Sequence, residues 1–123
     1  MVKGIALGDV VVDCKDAKKL AGFYAKLLGW EEFELYGLPA VRSKGGMVLI
    51  FAQEDDYAAP VWPEENGKQQ KQEHFDFQVD SVPDAVREAE SLGACKAKSQ
   101  FGGDHWTTML DPAGHPFCLC AKG

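Results

Sequence analysis

The segment His74 to Gln78, within the sequence EHFDFQVD, carries a polar side chain at every second position. In an extended strand successive side chains point to opposite faces, so His74, Asp76 and Gln78 share one face. An imidazole beside a carboxylate can bind a ligand, transfer a proton near neutral pH or coordinate a metal ion. The same face can also simply meet solvent, and the surrounding elements have to decide between these interpretations.

Two cysteines and two tryptophans are further candidates for chemistry. Cys118 and Cys120 lie two apart in an apolar segment, so a strand places both on one face. The simplest interpretation of the chain's four cysteines is as small buried side chains. Trp62 and Trp106 are predicted pocket walls for a planar or apolar ligand, with the covering of sheet edges as the alternative. Trp62 lies in a segment that could fold over a pocket as a lid.

Several common catalytic motifs are missing from the sequence. It has no Gly-x-Ser-x-Gly nucleophile elbow. The pairs Gly45-Gly46 and Gly102-Gly103 lack the following Lys-Ser or Lys-Thr of a phosphate-binding loop. His115 adjoins a predicted turn and is interpreted as structural.

The composition predicts one compact globular domain. The 123 residues are 46% hydrophobic and 26% charged, with a net charge of -6. This acidity, with no basic cluster, argues against nucleic acid or an anionic membrane as partner. No apolar run approaches the roughly 20 residues that span a bilayer, and the N-terminus has no signal-peptide pattern. We therefore expect a cytoplasmic protein.

The first half of the chain predicts a strand, a helix and three more strands. Residues 4–14, rich in Val, Ile and Leu, indicate the first strand. Apolar residues at helical spacing follow, with Asp16 as the N-cap and Gly29 as the C-terminal stop. Three strands complete this half, over residues 30–35, 38–43 and 47–53.

The second half repeats this order after a polar, proline-containing segment. A strand is predicted at 75–80, and a helix from Ser81 to Gly93. Further strands are predicted over residues 96–101, 106–110 and 116–120. We therefore predict a single domain of residues 1–123, in which modules 2–59 and 73–121 are joined by a linker, 60–72.

Each helix can cover only one face of its small sheet. Phe75 and Phe77 are apolar enough to pack on a helix, which leaves the His74 face uncovered. If the two sheets join side by side, their uncovered faces form one trough lined by Asp9, His74 and Cys118. The predicted fold is α+β, with two paired βαβββ modules that form an open, curved mixed sheet with the helices outside.

Three stretches of the chain resemble the glyoxalase/bleomycin-resistance/dioxygenase proteins, the vicinal oxygen chelate superfamily. They are VVVDCKDAKKLAGFYAKLLGW, HFDFQVD followed by AVREAESLGA, and MLDPAGHPFCLC. They occur in the superfamily's order and cover nearly the whole chain, which looks most like the small bacterial glyoxalase-like domains. The resemblance implies two paired modules, a trough on their open faces and a homodimer.

The resemblance also implies a divalent metal in the trough, held by His, Glu or Gln and acting as a Lewis acid. The ligand positions fall at His74, at or beside Asp9, and at Cys118, where the family carries Glu. The fourth falls on side chains that cannot bind metal: Leu49, Ile50 or Phe51. A set of Asp9, His74 and Cys118 suits zinc better than Mg²⁺ or Mn²⁺. The alternatives for His74 are a hydrogen-bonded structural histidine and a metal-free ligand contact or general base.

We therefore predict a protein that binds a small organic ligand in the trough, without the full classical metal site and without a cofactor. The predicted ligand contacts are Asp9, Phe51, Trp62, Asp76, Trp106 and Cys118. The alternative is a metal-dependent glyoxalase-like lyase or isomerase acting on a small oxygenated substrate. In that case His74 is catalytic, and zinc is held by His74, Asp9 and Cys118. A third possibility is an accessory module whose trough is closed by side chains.

Overall fold

The computed structural model describes residues 1–122, and these fall into two compact units that divide between Glu54 and Asp55. Each unit contains one helix and one four-stranded mixed sheet, which confirms the predicted α+β class and two-module organisation. The segment 60–72, predicted as a linker, belongs to the second unit. Among residues 1–122, neither helix is long and apolar enough to cross a lipid bilayer.

The first unit is a βαβββ module. Its elements are β1 (Val10–Cys14), α1 (Ala17–Leu28), β2 (Glu31–Leu35), β3 (Leu38–Arg42) and β4 (Val48–Gln53). The strand order is β1-β4-β3-β2, with β1 parallel to β4 and the other pairs antiparallel. The predicted start of the first strand at residue 4 is wrong, because β4 offers backbone partners only to Val10–Cys14.

Helix α1 begins and ends where its capping residues predict. The Asp16 carboxylate accepts a hydrogen bond from the Lys19 backbone N–H at 3.1 Å, and Gly29 ends the helix in the left-handed conformation. The helix packs on the sheet through Tyr24, which stacks on Phe51 with ring centroids 5.8 Å apart. One face of this sheet is thereby covered, and the residues that alternate with Phe51 point to the other face.

The second unit repeats the module. Its elements are β5 (Phe75–Val79), α2 (Val82–Leu92), β6 (Cys95–Lys96), β7 (Trp106–Leu110) and β8 (Pro116–Ala121). The strand order is β5-β8-β7-β6, with β5 parallel to β8. Ser81 caps α2 by accepting from the Asp84 N–H at 3.3 Å, and Gly93 ends the helix. The predicted helix bounds are confirmed.

The strand predicted over 96–101 is shorter than expected and is confined to Cys95–Lys96. The reason is the side chain of Gln100. Its amide donates to the Thr108 carbonyl and accepts from the Thr108 N–H, both at 2.8 Å. The Thr108 carbonyl also accepts from the Ala97 N–H at 3.0 Å, so backbone pairing ends there. The Gln100 side chain bonds the Thr108 N–H and the Ala97 carbonyl, the two groups that would pair next in a longer β6.

The predicted alternation along β5 is confirmed. Phe75, Phe77 and Val79 are half-buried, whereas Asp76 and Gln78 are exposed. Phe77 contacts the fully buried Phe117 of β8, with ring centroids 5.8 Å apart. The apolar side chains of the two strands thus meet on the helix side of the sheet, and their polar neighbours lie on the opposite face. That opposite face carries the candidate site.

Candidate functional site

Three strands of the second unit align a carboxylate, a thiol and a hydroxyl in one row across the sheet. Asp76 of β5 lies beside Cys118 of β8 in the parallel register. Cys118 in turn lies beside Thr108 of β7 in the antiparallel register. Because directly paired residues point to the same face, these side chains lie together on the face opposite α2. We call Asp76, Cys118 and Thr108 the polar row.

His74, which directly precedes β5, reaches this row. Its Nε2 lies 3.1 Å from Asp76 Oδ1 and 3.2 Å from Cys118 Sγ. One side-chain atom of each of these three residues lies within 4.8 Å of the others. We call His74, Asp76 and Cys118 the His74 cluster. Its imidazole nitrogen can donate to the carboxylate in one tautomer or accept from the thiol in the other.

Burial differs sharply within the His74 cluster. Cys118 is 4% exposed, whereas the side chains of His74 and Asp76 are 32% and 69% exposed. Burial raises the pKa of the Cys118 thiol; the hydrogen bond with Thr108 at 3.4 Å opposes this, and the Asp76 charge adds to it. The free thiol is therefore protonated at neutral pH and a poor nucleophile.

A pocket of about 310 Å³ opens on the polar row and on the His74 cluster. This volume lies at the lower end of the range for small-molecule sites. Its lining consists of Trp62, His74, Asp76, Phe101, Trp106, Thr108, Cys118 and Cys120. Three large aromatic rings therefore surround a small number of polar groups, which is the usual composition of a site for an organic molecule.

The segment 60–72 supplies one wall of the pocket through Trp62. The Trp62 ring meets the rings of His74 and Phe101 edge to face, with centroids 6.5 and 6.1 Å away. Lys71 Nζ lies over the Trp62 ring, 4.9 Å from its centroid, and forms an ion pair with Glu64. The indole is thus held by aromatic and cation–π contacts, which supports its interpretation as a pocket wall.

The position of Trp106 depends on the absence of a side chain at Gly102. A Cβ on this buried glycine would lie 2.4 Å from the Trp106 carbonyl oxygen and 2.5 Å from Cδ2 of its indole. Such distances are far below van der Waals contact, so a larger residue would force Trp106 to move. Gly102 therefore shapes the pocket wall although it is not itself a lining residue.

The structure brings together most of the predicted site residues. Five of them line the pocket, namely Trp62, His74, Asp76, Trp106 and Cys118. The other two, Asp9 and Phe51, belong to the first unit. Phe51 is fully buried and stacked on Tyr24, which places it in the core of that unit. Asp9 lies one residue before β1, and its part in a site stays a prediction.

Sequence reasoning missed four residues that shape the pocket, namely Phe101, Gly102, Thr108 and Cys120. Thr108 could have been found, because it lies two residues after Trp106 in the same strand and so shares its face. Cys120 likewise shares the face of Cys118. Phe101 and Gly102 lie in a loop, where no periodicity marks the direction of a side chain.

A second pair of titratable groups lies next to the site. Glu73 Oε2 is 3.3 Å from Nδ1 of His115, and the two side chains are only 18% and 11% exposed. Burial raises the pKa of Glu73 to about 7; His115 lowers it, and the Asp111 carboxylate raises it further. His115 also contacts Tyr57, whose hydroxyl donates to the Ala113 carbonyl at 2.6 Å. These contacts support the structural role predicted for His115.

The fold and the site together suggest the superfamily that the sequence resembles, and a family comparison decides the assignment. The model of the glyoxalase-like domain family matches residues 9–120. The chain belongs to the glyoxalase-like domain family. A comparison with curated proteins gives no match.

Solved structures share the fold of this glyoxalase-like domain. A possible glyoxalase from Bacillus cereus is 14% identical with a TM-score of 0.67, over 95% of this chain and 99% of that chain. A glyoxalase/bleomycin resistance protein/dioxygenase family enzyme from Burkholderia phytofirmans PsJN is 20% identical with a TM-score of 0.66, over 93% and 96%. The oxidase ChaP-H2 is 20% identical with a TM-score of 0.63, over 98% and 95%. At these identities the likeness establishes the fold alone.

The His74 cluster of this glyoxalase-like domain offers donor types that zinc binds, and its three donor atoms lie within 4.8 Å of one another. Zinc binds imidazole nitrogen, carboxylate oxygen and thiolate sulfur at about 2.0–2.3 Å, so tetrahedral donors lie roughly 3.3–3.6 Å apart. The two separations from His74 Nε2, 3.1 and 3.2 Å, are close to these values. The sulfur donor makes the set unsuited to Mg²⁺, which requires oxygen ligands.

Proposed function

We propose that this glyoxalase-like domain binds a small organic molecule with a planar, apolar part in the pocket of the second unit. The observation that carries this proposal is the combination of three aromatic walls with one polar floor in a volume of about 310 Å³. The walls are Trp62, Phe101 and Trp106, and the floor is the polar row with His74. Aromatic walls contribute buried apolar area and ring stacking, which are the largest favourable terms for such a ligand.

The polar floor favours a ligand that carries one hydroxyl or carbonyl group. Thr108 and Cys118 already contact each other at 3.4 Å, deep in the sheet. His74 is the more accessible partner, since about a third of its side chain is exposed. A neutral imidazole can donate to a carbonyl or accept from a hydroxyl, so it fixes the orientation of the ligand while the aromatic walls hold its body.

The test is a titration of the purified protein with planar aromatic compounds that each carry one hydroxyl or carbonyl group. Binding is followed by tryptophan fluorescence and by isothermal titration calorimetry. We expect saturable binding of at least one compound, and we expect Trp106→Ala to weaken it about 10- to 30-fold, because a central aromatic contact is lost. Trp30→Phe is the matched control, since Trp30 lies in the first unit and does not line this pocket.

Two results would overturn the proposal. One is the absence of saturable binding across the panel, which would favour an accessory module whose pocket has no small-molecule ligand. The other is a Trp106→Ala variant that binds as tightly as the wild type while Trp30→Phe binds more weakly. That second result would move the ligand away from the second unit's pocket.

A second candidate function is a metal-dependent lyase or isomerase that acts on a small oxygenated substrate. The observation that favours it is the His74 cluster, whose three donor atoms lie within 4.8 Å of one another. A metal held there would supply Lewis-acid polarisation of a substrate oxygen. The chain's own contribution would be to hold the substrate between the aromatic walls and to support the Cys118 sulfur through Thr108. Turnover of small oxygenated carbonyl compounds, abolished by His74→Ala, is the test.

A further inference from the structure

We propose that Gln100 is a positioning residue of the pocket, because its side chain holds Phe101 in place as the third aromatic wall and so determines which ring systems the pocket accepts. The inference rests on the proposed function, and it adds the residue that decides the size of the ligand. Gln100 does not itself line the pocket. It acts through the loop that joins β6 to β7.

The Gln100 side chain occupies the place of a sheet hydrogen bond. Continuing the register of β6 and β7 would pair Ala97 with Thr108, and such an antiparallel pair can exchange two backbone hydrogen bonds. One of these runs from the Ala97 N–H to the Thr108 carbonyl at 3.0 Å. In place of the other, the Gln100 amide accepts from the Thr108 N–H at 2.8 Å and donates to the Ala97 carbonyl at 2.7 Å. A third bond, to the Thr108 carbonyl at 2.8 Å, uses the second amide hydrogen, so the side chain is held in one orientation.

These hydrogen bonds end β6 and redirect the chain that follows. In a longer β6, Ser99 would lie opposite Trp106. The chain instead forms a loop, in which Gly102 lies against the Trp106 indole. Phe101, which directly precedes this glycine, lines the pocket. Gln100 on one side and Gly102 on the other therefore determine where the Phe101 ring lies.

The first unit shows the same module without such a side chain. The counterpart of β6 is β2, which pairs with β3 along its full length, from Glu31 to Leu35. The two residues Tyr36 and Gly37 join these strands directly. The short β6 and its long loop are thus a property of the residues in the second unit and not of the βαβββ module.

Phe101 lies at the mouth of the pocket. It is 64% exposed, whereas Thr108 and Cys118 on the floor are 1% and 4% exposed. Its ring meets the ring of Trp62, so the two aromatic side chains form one continuous wall. A ligand whose polar group reaches the floor contacts Phe101 only if its ring system extends to the mouth. The geometry therefore favours two fused rings over one.

The experiment uses phenol and 2-naphthol as probes, which differ by one fused ring. Both are titrated by NMR into the wild type, Gln100→Ala, Phe101→Ala and the double variant. We expect the wild type to bind 2-naphthol at least about tenfold more tightly than phenol, because the second ring buries more apolar area. Each single variant should weaken 2-naphthol binding about tenfold and phenol binding less than about threefold. The double variant should lose no more affinity than Phe101→Ala, since residues that act through one ring are not additive.

Gln53→Ala is the matched control. Gln53 is also a glutamine whose side chain bonds the backbone, since it accepts from the Ala17 N–H at 3.2 Å, but it belongs to the first unit. Its loss should lower stability without changing the preference for 2-naphthol, which separates a positioning role from a general loss of stability. Circular dichroism and urea denaturation establish that each variant is folded.

The ligand-free protein tests the inference without a probe. Nuclear Overhauser cross-peaks between the rings of Phe101 and Trp62 should be present in the wild type and in Gln53→Ala and absent in Gln100→Ala. Three results would overturn the inference: cross-peaks that persist in Gln100→Ala, an unchanged 2-naphthol preference in that variant, or additive losses in the double variant.

The two readouts separate this inference from the proposed function. If the wild type binds neither probe while the cross-peaks respond as expected, the proposed function and the ligand preference fail, and the positioning of Phe101 by Gln100 stands. If 2-naphthol binds the wild type but the cross-peaks persist in Gln100→Ala, only this inference fails.

Discussion

The two units share one topology, yet they carry opposite chemistry on the sheet face that their helices leave uncovered. Both sheets place the first strand parallel to the last and the third strand antiparallel to the last. In the second unit the aligned residues are Asp76, Cys118 and Thr108. In the first unit the same register aligns Val11, Ile50 and Ala40. A polar row in one module thus corresponds to an apolar row in the other.

This difference shows that the shared βαβββ fold determines which sheet face is left uncovered by the helix. It does not determine the chemistry of that face. The helix side is apolar in both units, because each sheet must bury one face to be stable. The other face is free to carry either chemistry or packing, and only the residue types decide. The position that matches His74 holds Asp9, and the position that matches Cys118 holds Ile50. The first unit therefore has no counterpart of the thiol.

The largest predicted effect is on the pH dependence of the unfolding free energy, through the carboxyl group of Glu73. In the second unit burial raises the pKa of Glu73 to about 7 from an ordinary 4.5. A raised carboxyl pKa means that the folded state holds its proton more tightly than the unfolded state. The resulting stabilisation is complete below about pH 4.5 and is lost as the pH rises through about 7. Glu73→Gln should therefore reduce the fall in unfolding free energy between pH 5 and pH 8 by about 2–3 kcal/mol, measured by urea denaturation.

Glu31 in the first unit is the control for this measurement. Its carboxylate accepts a hydrogen bond from Arg42 at 2.9 Å, which lowers its pKa, but the pair is on the surface. Glu31→Gln should leave the pH dependence between pH 5 and pH 8 as in the wild type, because this carboxyl stays ionised throughout that range. A Glu73→Gln variant whose stability follows the wild-type pH profile would refute the prediction.

The second prediction concerns a variant in which one residue of the polar row is replaced by its apolar counterpart from the first unit. Cys118→Ile places in β8 the residue that the first unit carries at the matching position. We expect ligand affinity to fall about tenfold, since the larger side chain enters the pocket floor that Cys118 lines. The reciprocal change, Ile50→Cys, should leave ligand affinity unchanged, because Ile50 does not line this pocket. Fluorescence titration of both variants tests the comparison, and wild-type ligand affinity in Cys118→Ile would contradict it.

The third prediction concerns Gly102, the glycine next to the pocket wall. Gly102→Ala should displace the Trp106 ring, because a new Cβ would lie 2.5 Å from Cδ2 of the indole. We expect ligand affinity to fall about tenfold, the loss typical of a weakened aromatic anchor. Unchanged affinity in Gly102→Ala would show that the pocket does not depend on the position of Trp106.

The smallest predicted effect is the matched change in the first unit. Gly22 lies inside α1, and a Cβ there would meet only Glu32 Oε1 at 3.8 Å. Gly22→Ala should raise the free energy of unfolding by about 0.5–1 kcal/mol, because alanine favours the helix. Ligand affinity should not change. Denaturation and fluorescence titration of the same sample measure both quantities, and a drop in stability would contradict the prediction that the helix accepts a methyl group at Gly22.

The sequence predicted the elements well where local rules determine them. Asp16, Gly29, Ser81 and Gly93 set both helices through capping, which depends on neighbours in the chain. Alternation along β5 placed His74 and Asp76 on the uncovered face. The strand predicted over 96–101 ends early for a non-local reason, because the Gln100 side chain accepts the Thr108 N–H that a longer β6 would bond. No local pattern reports such a contact.

The candidate site could be predicted only in part for the same reason. The pairing of Asp76 with Cys118 follows from strand register, which the sequence does not state. The superfamily resemblance implied Asp9 as a further metal ligand, and because Asp9 belongs to the first unit that part of the site stays a prediction. The roles of Phe101 and Gly102 arise from a loop whose path is set by tertiary packing.

The most direct test of the account is a map of backbone amide shifts by ¹H–¹⁵N NMR as a planar aromatic compound with one hydroxyl or carbonyl group is added. The account predicts that the largest changes fall on Trp62, His74, Trp106 and Cys118, which line the pocket, with Val11 and Ile50 little affected. The largest changes at Asp9, Val11 and Ile50, with Trp106 and Cys118 unmoved, would contradict it.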